Sequence, residues 1–168
     1  GDYDVNTKRI PGGLKSLGEQ INAMGMDFGL WFEPEMISEN SKLYETHPEY
    51  VMKVPGRDPA KGRHQLVLDL CQVEVQDYII QNIAQVLKSA PISYVKWDMN
   101  RHMSDVYSKA VKEQGRVFHT YIMGLYRVLD EITKAFPKIL FESCSSGGNR
   151  FDLGMLCFTP QIWASDDT

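Results

Sequence analysis

An alternation constrains this chain more than any other feature. Short apolar runs that read as strands, each finished by polar side chains, are separated by longer stretches with apolar residues at helical spacing. The strand candidates are "MDFGLWF" (26–32), "HQLVLDL" (64–70), "ISYVKWDM" (92–99), "KILFESC" (138–144) and "QIWASDD" (161–167). Between them, "IPGGLKSLGEQINAMG" (10–25) carries Pro11 at a helix start and Gly25 as a stop. Residues 72–89 put Val75, Ile79, Ile83 and Val86 on one stripe. A third helix is predicted over 116–135, with Phe118, Ile122, Leu125, Leu129 and Ile132 in register and Pro137 behind it. Apolar strands connected through helices predict a parallel sheet covered by helices.

Two layouts meet that requirement: an open doubly wound sheet, or part of a (β/α)₈ barrel. No G-x-G-x-x-G follows any strand, so the dinucleotide-binding version lacks its marker. The strand ends instead gather Glu33 and Glu35, Asp69, Lys96, Asp98 and Asn100, Glu142 and Cys144, and Asp166 and Asp167. Polar groups collected where parallel strands finish are what the active-site face of a barrel needs. A complete barrel takes ~250 residues, so a chain of this size supplies roughly four or five of the eight strands. The expected fold is therefore a partial (β/α)₈ barrel. Residues 1–168, which open without a methionine, are expected to be an incomplete catalytic barrel domain of a longer enzyme.

Composition removes several functions. A net charge of −4 without a Lys/Arg cluster argues against nucleic acid. No apolar run approaches the ~20 residues of a membrane span, and no secretory leader is recognisable. Three widely spaced cysteines (Cys71, Cys144, Cys157) do not make a disulfide framework and suit a reducing, cytoplasmic setting. The four histidines form no metal-ligand grouping, so no metal and no cofactor are expected.

The chemistry concentrates in "YVKWDMNR". Alternation puts Lys96, Asp98 and Asn100 on one face of the strand, where the Lys96 ammonium is expected to hold the Asp98 carboxylate ionised. Taken alone, an aspartate at a strand end more often caps a turn. The second acid is Asp166 in "WASDDT", close to Trp163, whose aromatic wall favours a protonated carboxyl. One ionised carboxylate and one that carries a proton are the pair glycoside hydrolysis requires. "ESCSSGGNRFD" (142–152) is a glycine-rich turn through which backbone can approach a ligand. Trp31 and Trp97 are candidate sugar-stacking platforms, although aromatics on strands are more often core.

"KWDMNR", "GLWFEPEM", "ESCSSGGNRFD" and "WASDDT", taken together and in this order, resemble the α-galactosidases of glycoside hydrolase family 36. "LGEQINAMGMDFGLWFEPEMIS" and "THPEY" extend the resemblance over essentially the whole chain. It implies a retaining glycosidase that releases terminal α-galactose from galactosides of the melibiose and raffinose type. Asp98 would then be the nucleophile and Asp166 the acid/base, with Asp167 as second choice. Trp31, Arg63, Lys96, Asn100 and Cys144 would contact the sugar. The family's enzymes are several hundred residues long, so the resemblance also implies a homo-oligomeric full-length enzyme and little activity from these residues alone. Three other readings are a galactosyl-transferring enzyme of the raffinose-synthase type, a non-catalytic carbohydrate-binding module on a degenerate barrel, and a nucleotide-binding enzyme.

Overall fold

A computed structural model describes residues 2–167. The elements in chain order are helix α1 (Gly13–Ala23), strand β1 (Phe28–Phe32), the two-residue strand β2 (Met36–Ile37), helix α2 (Lys42–Thr46), strand β3 (Leu66–Val67), helix α3 (Val73–Lys88), strand β4 (Ile92–Asp98), helix α4 (Val117–Ala135), strand β5 (Leu140–Cys144), helix α5 (Leu153–Leu156) and strand β6 (Gln161–Ile162). Four strands make one sheet in the order β1-β4-β5-β6, and every neighbouring pair is parallel. The strands are laid down in chain order with no reversal. A doubly wound sheet needs a switch point where the order turns back. The sheet therefore has the one-directional winding of a barrel wall, four strands long and open at both edges.

The alternation within each strand divides two faces. Val95 and Trp97 of β4 are fully buried and Phe141 of β5 nearly so, in one core with the buried residues of α3 and α4. Lys96 pairs in register with Glu142 and Asp98 with Cys144, which places those four on the opposite face, the one a closed barrel would turn inward. α3 buries Val75, Ile79, Ile83 and Leu87 as an i, i+4 stripe. Each such side chain stabilises the fold by about 1.5–3 kcal/mol relative to exposure. Gly25 takes a positive φ of 79° just past α1, the left-handed stop expected of it.

Two expectations need correction. The segment 64–70 does not join the parallel sheet: Leu66–Val67 pairs antiparallel with Met36–Ile37 in a separate ribbon. Leu66, Val67, Leu68 and Leu70 are all buried, so this run fills the core beneath the β1–α3 connection, where burial without alternation looks the same in sequence as a sheet strand. In α4 the predicted Leu125, Leu129 and Ile132 are buried with Val117, Tyr121 and Val128, but Phe118 leaves the stripe and is 52% exposed. The phase is fixed by Tyr121, whose hydroxyl reaches inward to Glu35 Oε2 at 2.8 Å.

Candidate active site

The carboxyl ends of β4 and β5 bring the predicted residues together. Asp98, the last residue of β4, is 5% exposed. Its Oδ2 accepts a hydrogen bond from Trp31 Nε1 at 2.9 Å, and its Oδ1 has no partner among the described residues. Trp31 lies on the neighbouring strand β1 with its ring 52% exposed, so it presents an open aromatic face while its N–H fixes the carboxylate. Cys144 sits opposite Asp98 in register and is buried. Burial, with the Asp98 charge, pushes the Cys144 thiol up against a partly opposing backbone contact at Gly147. It is a neutral contact group rather than a thiolate nucleophile.

Lys96 does not pair with Asp98. Its ammonium is 3.5 Å from Glu142 Oε1 and 4.3 Å from the centroid of the Trp163 ring. Glu142 is further held by the Tyr94 hydroxyl and by Gln161 Nε2 at 3.0 Å. The reason is geometric: the register sets Lys96 beside Glu142 on the next strand, whereas Asp98 is two residues along its own strand.

Asn100 is likewise occupied by others. Its backbone N–H and its Nδ2 both donate to Glu33 Oε1 at 3.0 Å, and its Oδ1 accepts from the Ser146 backbone N–H at 3.1 Å. Glu33 also accepts from Gln65 Nε2 and has the Arg63 guanidinium 3.8 Å away. Arg63 itself is mostly exposed, at a positive φ of 53° in the turn before β3. Trp97 is the clear correction. It is fully buried beneath the sheet, where its Nε1 donates to Glu35 Oε1 at 3.1 Å, so no sugar can stack on it.

Asp166 and Asp167 are exposed, four and five residues past β6. Asp166 Oδ1 accepts from Trp163 Nε1 at 2.9 Å. Its segment lies against the glycine-rich turn: a Cβ on Gly148 would stand 2.8 Å from the Ala164 carbonyl oxygen, and one on Gly147 would stand 3.1 Å from Ser165 Cα. The backbone that these glycines admit is thus the chain's own. β5 stands between β4, which ends at Asp98, and β6, which Asp166 follows by four residues.

Glu33, Glu142 and Arg150 complete the arrangement. The two glutamates stood among the strand-end acids, but nothing in sequence separated them from Asp69, which is buried and accepts from Gln72, Ser108 and the Cys71 backbone as a turn anchor. Asp152, in the same glycine-rich stretch, caps α5 by accepting from Met155 N–H.

Comparison with known proteins places this geometry. The Melibiase family model matches residues 1–168. The chain belongs to the Melibiase family. Among curated Melibiase relatives, alpha-galactosidase AgaA of Geobacillus stearothermophilus is 56% identical over all of this chain and 23% of its own length. Alpha-galactosidase 1 of Pediococcus pentosaceus is 51% identical with the same coverage. The crystal structure of AgaA, a glycoside hydrolase family 36 enzyme, superposes with a TM-score of 0.96 at 55% identity, covering 100% of this chain and 24% of AgaA. Variants of AgaA have been solved in complex with raffinose and with stachyose. This chain thus spans about a quarter of the length of the relatives it matches, and its open sheet corresponds to part of a family 36 catalytic barrel. Among the described residues no helix is long and apolar enough to cross a membrane.

Proposed function

We propose that this chain is the catalytic heart of a longer α-galactosidase that releases terminal α-D-galactose from raffinose-type oligosaccharides by double displacement. The observation that carries the reading is the placement of Asp98: a carboxylate at a strand's carboxyl end, oriented through Oδ2 by the N–H of Trp31, which is itself half exposed beside it. A nucleophile needs its direction fixed in this way. Asp98 attacks the anomeric carbon as the glycosidic C–O bond breaks, and Asp166 gives its proton to the departing oxygen. Asp166, now a carboxylate, takes a proton from water, which attacks the same carbon and frees Asp98. Two inversions leave galactose in the α configuration, with the carboxyls ~5–5.5 Å apart in the assembled site.

In this reading Trp31 supplies an apolar platform for the sugar, Lys96, Arg63 and Asn100 face its hydroxyls, and the neutral Cys144 lies against it. No step calls for a metal or cofactor. The raffinose and stachyose complexes of AgaA support the substrate class. A cytoplasmic, oligomeric longer enzyme accords with this reading.

The test is the first-formed anomer when the longer enzyme cleaves melibiose, followed by proton NMR before mutarotation. α-Galactose appearing first is expected; β-galactose appearing first rules out double displacement.

A further inference from the structure

Behind the proposed nucleophile lies a buried ion pair that the reaction described above does not use. Glu35 is fully buried just past β1, and Arg150 comes from the turn after β5 with its side chain 14% exposed. Arg150 Nη1 is 2.8 Å from Glu35 Oε1. Glu35 also accepts from Trp97 Nε1 and from the Tyr121 hydroxyl, so three donors hold it. Arg150 Nη1 further lies 3.8 Å from the Met99 sulfur. Trp97 and Met99 are the residues on either side of Asp98. The cluster therefore grips both neighbours of the nucleophile from the rear of the sheet.

The charges point the same way. Lys96 is paired with Glu142 rather than with Asp98. Arg150 Nε and Nη2 are buried without an acceptor, and Asp98 Oδ1 is buried without a donor. Burial opposes the Arg150 charge, yet the attraction of Glu35, joined by that of Tyr121 and Asp98, outweighs it and holds the guanidinium above its ordinary pKa. A buried ion pair seldom adds net stability over well-packed apolar side chains. Its value here lies in what it does to its neighbours.

We propose that Arg150, clamped by Glu35, is a positioning residue for Asp98: together they fix Trp97 and Met99, the residues on either side of the nucleophile, from behind the sheet. This inference rests on the reading of Asp98 as nucleophile. Misplacing a reacting group by about 1 Å costs roughly 100-fold in rate. The role should therefore show in the bond-forming step and leave sugar binding nearly untouched.

The test uses the longer enzyme and an α-galactose-configured cyclophellitol epoxide. The nucleophilic carboxylate opens the probe, forming an ester to its carbon while the epoxide C–O bond breaks and the freed oxygen takes the acid's proton. The wild type, Arg150→Lys, and the paired variant Glu35→Gln with Arg150→Met are compared for inactivation rate, half-saturating probe concentration and label per chain. The expected result is one label per chain on Asp98 in all three. Maximal inactivation should be roughly 100-fold slower in both variants, with half-saturation within about twofold of wild type. Labelling at the wild-type rate in whatever fraction of chains remains folded overturns the inference, since a purely structural pair would lower only that fraction. So does failure of both variants to yield any labelled site. A wild-type label on a residue other than Asp98 overturns the catalytic reading itself, and this inference with it.

Discussion

Asp98 ends its strand, whereas Asp166 lies four residues beyond the end of its own, and their surroundings differ sharply. Asp98 ends the seven-residue strand β4, flanked by β1 and β5 and backed by a buried polar cluster. Asp166 lies four residues past the two-residue strand β6, which pairs with β5, and accepts a hydrogen bond from Trp163 three residues away. The first carboxylate is fixed by contacts far away in sequence, such as Trp31, 67 positions before it. The second has its side chain held from within its own turn, by Trp163, while the backbone of that turn packs on Gly147 and Gly148.

The sharpest break in that comparison is Asp98→Asn in the longer enzyme. With the nucleophile gone, kcat should fall by about 10⁴-fold or more, while calorimetry still registers galactose binding. Retained turnover would mean that the buried end is not where the bond forms. Asp166→Ala should lower kcat/KM by about 10²–10⁴-fold on raffinose, whose leaving group needs a proton. The loss should shrink on aryl galactosides with good leaving groups, and equal losses on both substrates would count against the acid role. The smallest effect is expected at Trp31→Phe, which keeps the aromatic face and removes the N–H donated to Asp98. Loss of one hydrogen bond to a charged group predicts about a tenfold fall in kcat, read by steady-state kinetics with the hydrolysed sugar in excess.

The same contrast explains what sequence could reveal. Strand ends were legible because a buried apolar run that stops at charged residues has few alternatives, and Asp98, Cys144 and Glu142 stand where the alternation put them. The one-directional strand order agrees with the polar strand-end pattern that favoured a barrel. Trp97 was misjudged because neighbouring strand positions face opposite ways. Its neighbour Asp98 faces the site, so Trp97 must face the helices. Lys96 was assigned to Asp98 by proximity along one strand, whereas the parallel register gave it to Glu142 across the strands. Arg150 was invisible because its partner, Glu35, is 115 positions away and joins it only in the folded layer beneath the sheet. The cue was present in retrospect: a lone cation in a glycine-rich turn and an acid followed at once by apolar residues, each needing a partner if buried.

The division of labour between the two acids is tested most directly by azide rescue of Asp98→Gly and Asp166→Gly in the longer enzyme, each with an aryl α-galactoside. With Asp98 removed, azide takes its place and attacks the substrate from the β face, so the product is β-galactosyl azide. With Asp166 removed, Asp98 still forms the β-linked galactosyl-enzyme, and azide displaces it from the α face to give α-galactosyl azide. Opposite anomers from the two variants are the predicted result; the same anomer from both, or the reverse assignment, would contradict it.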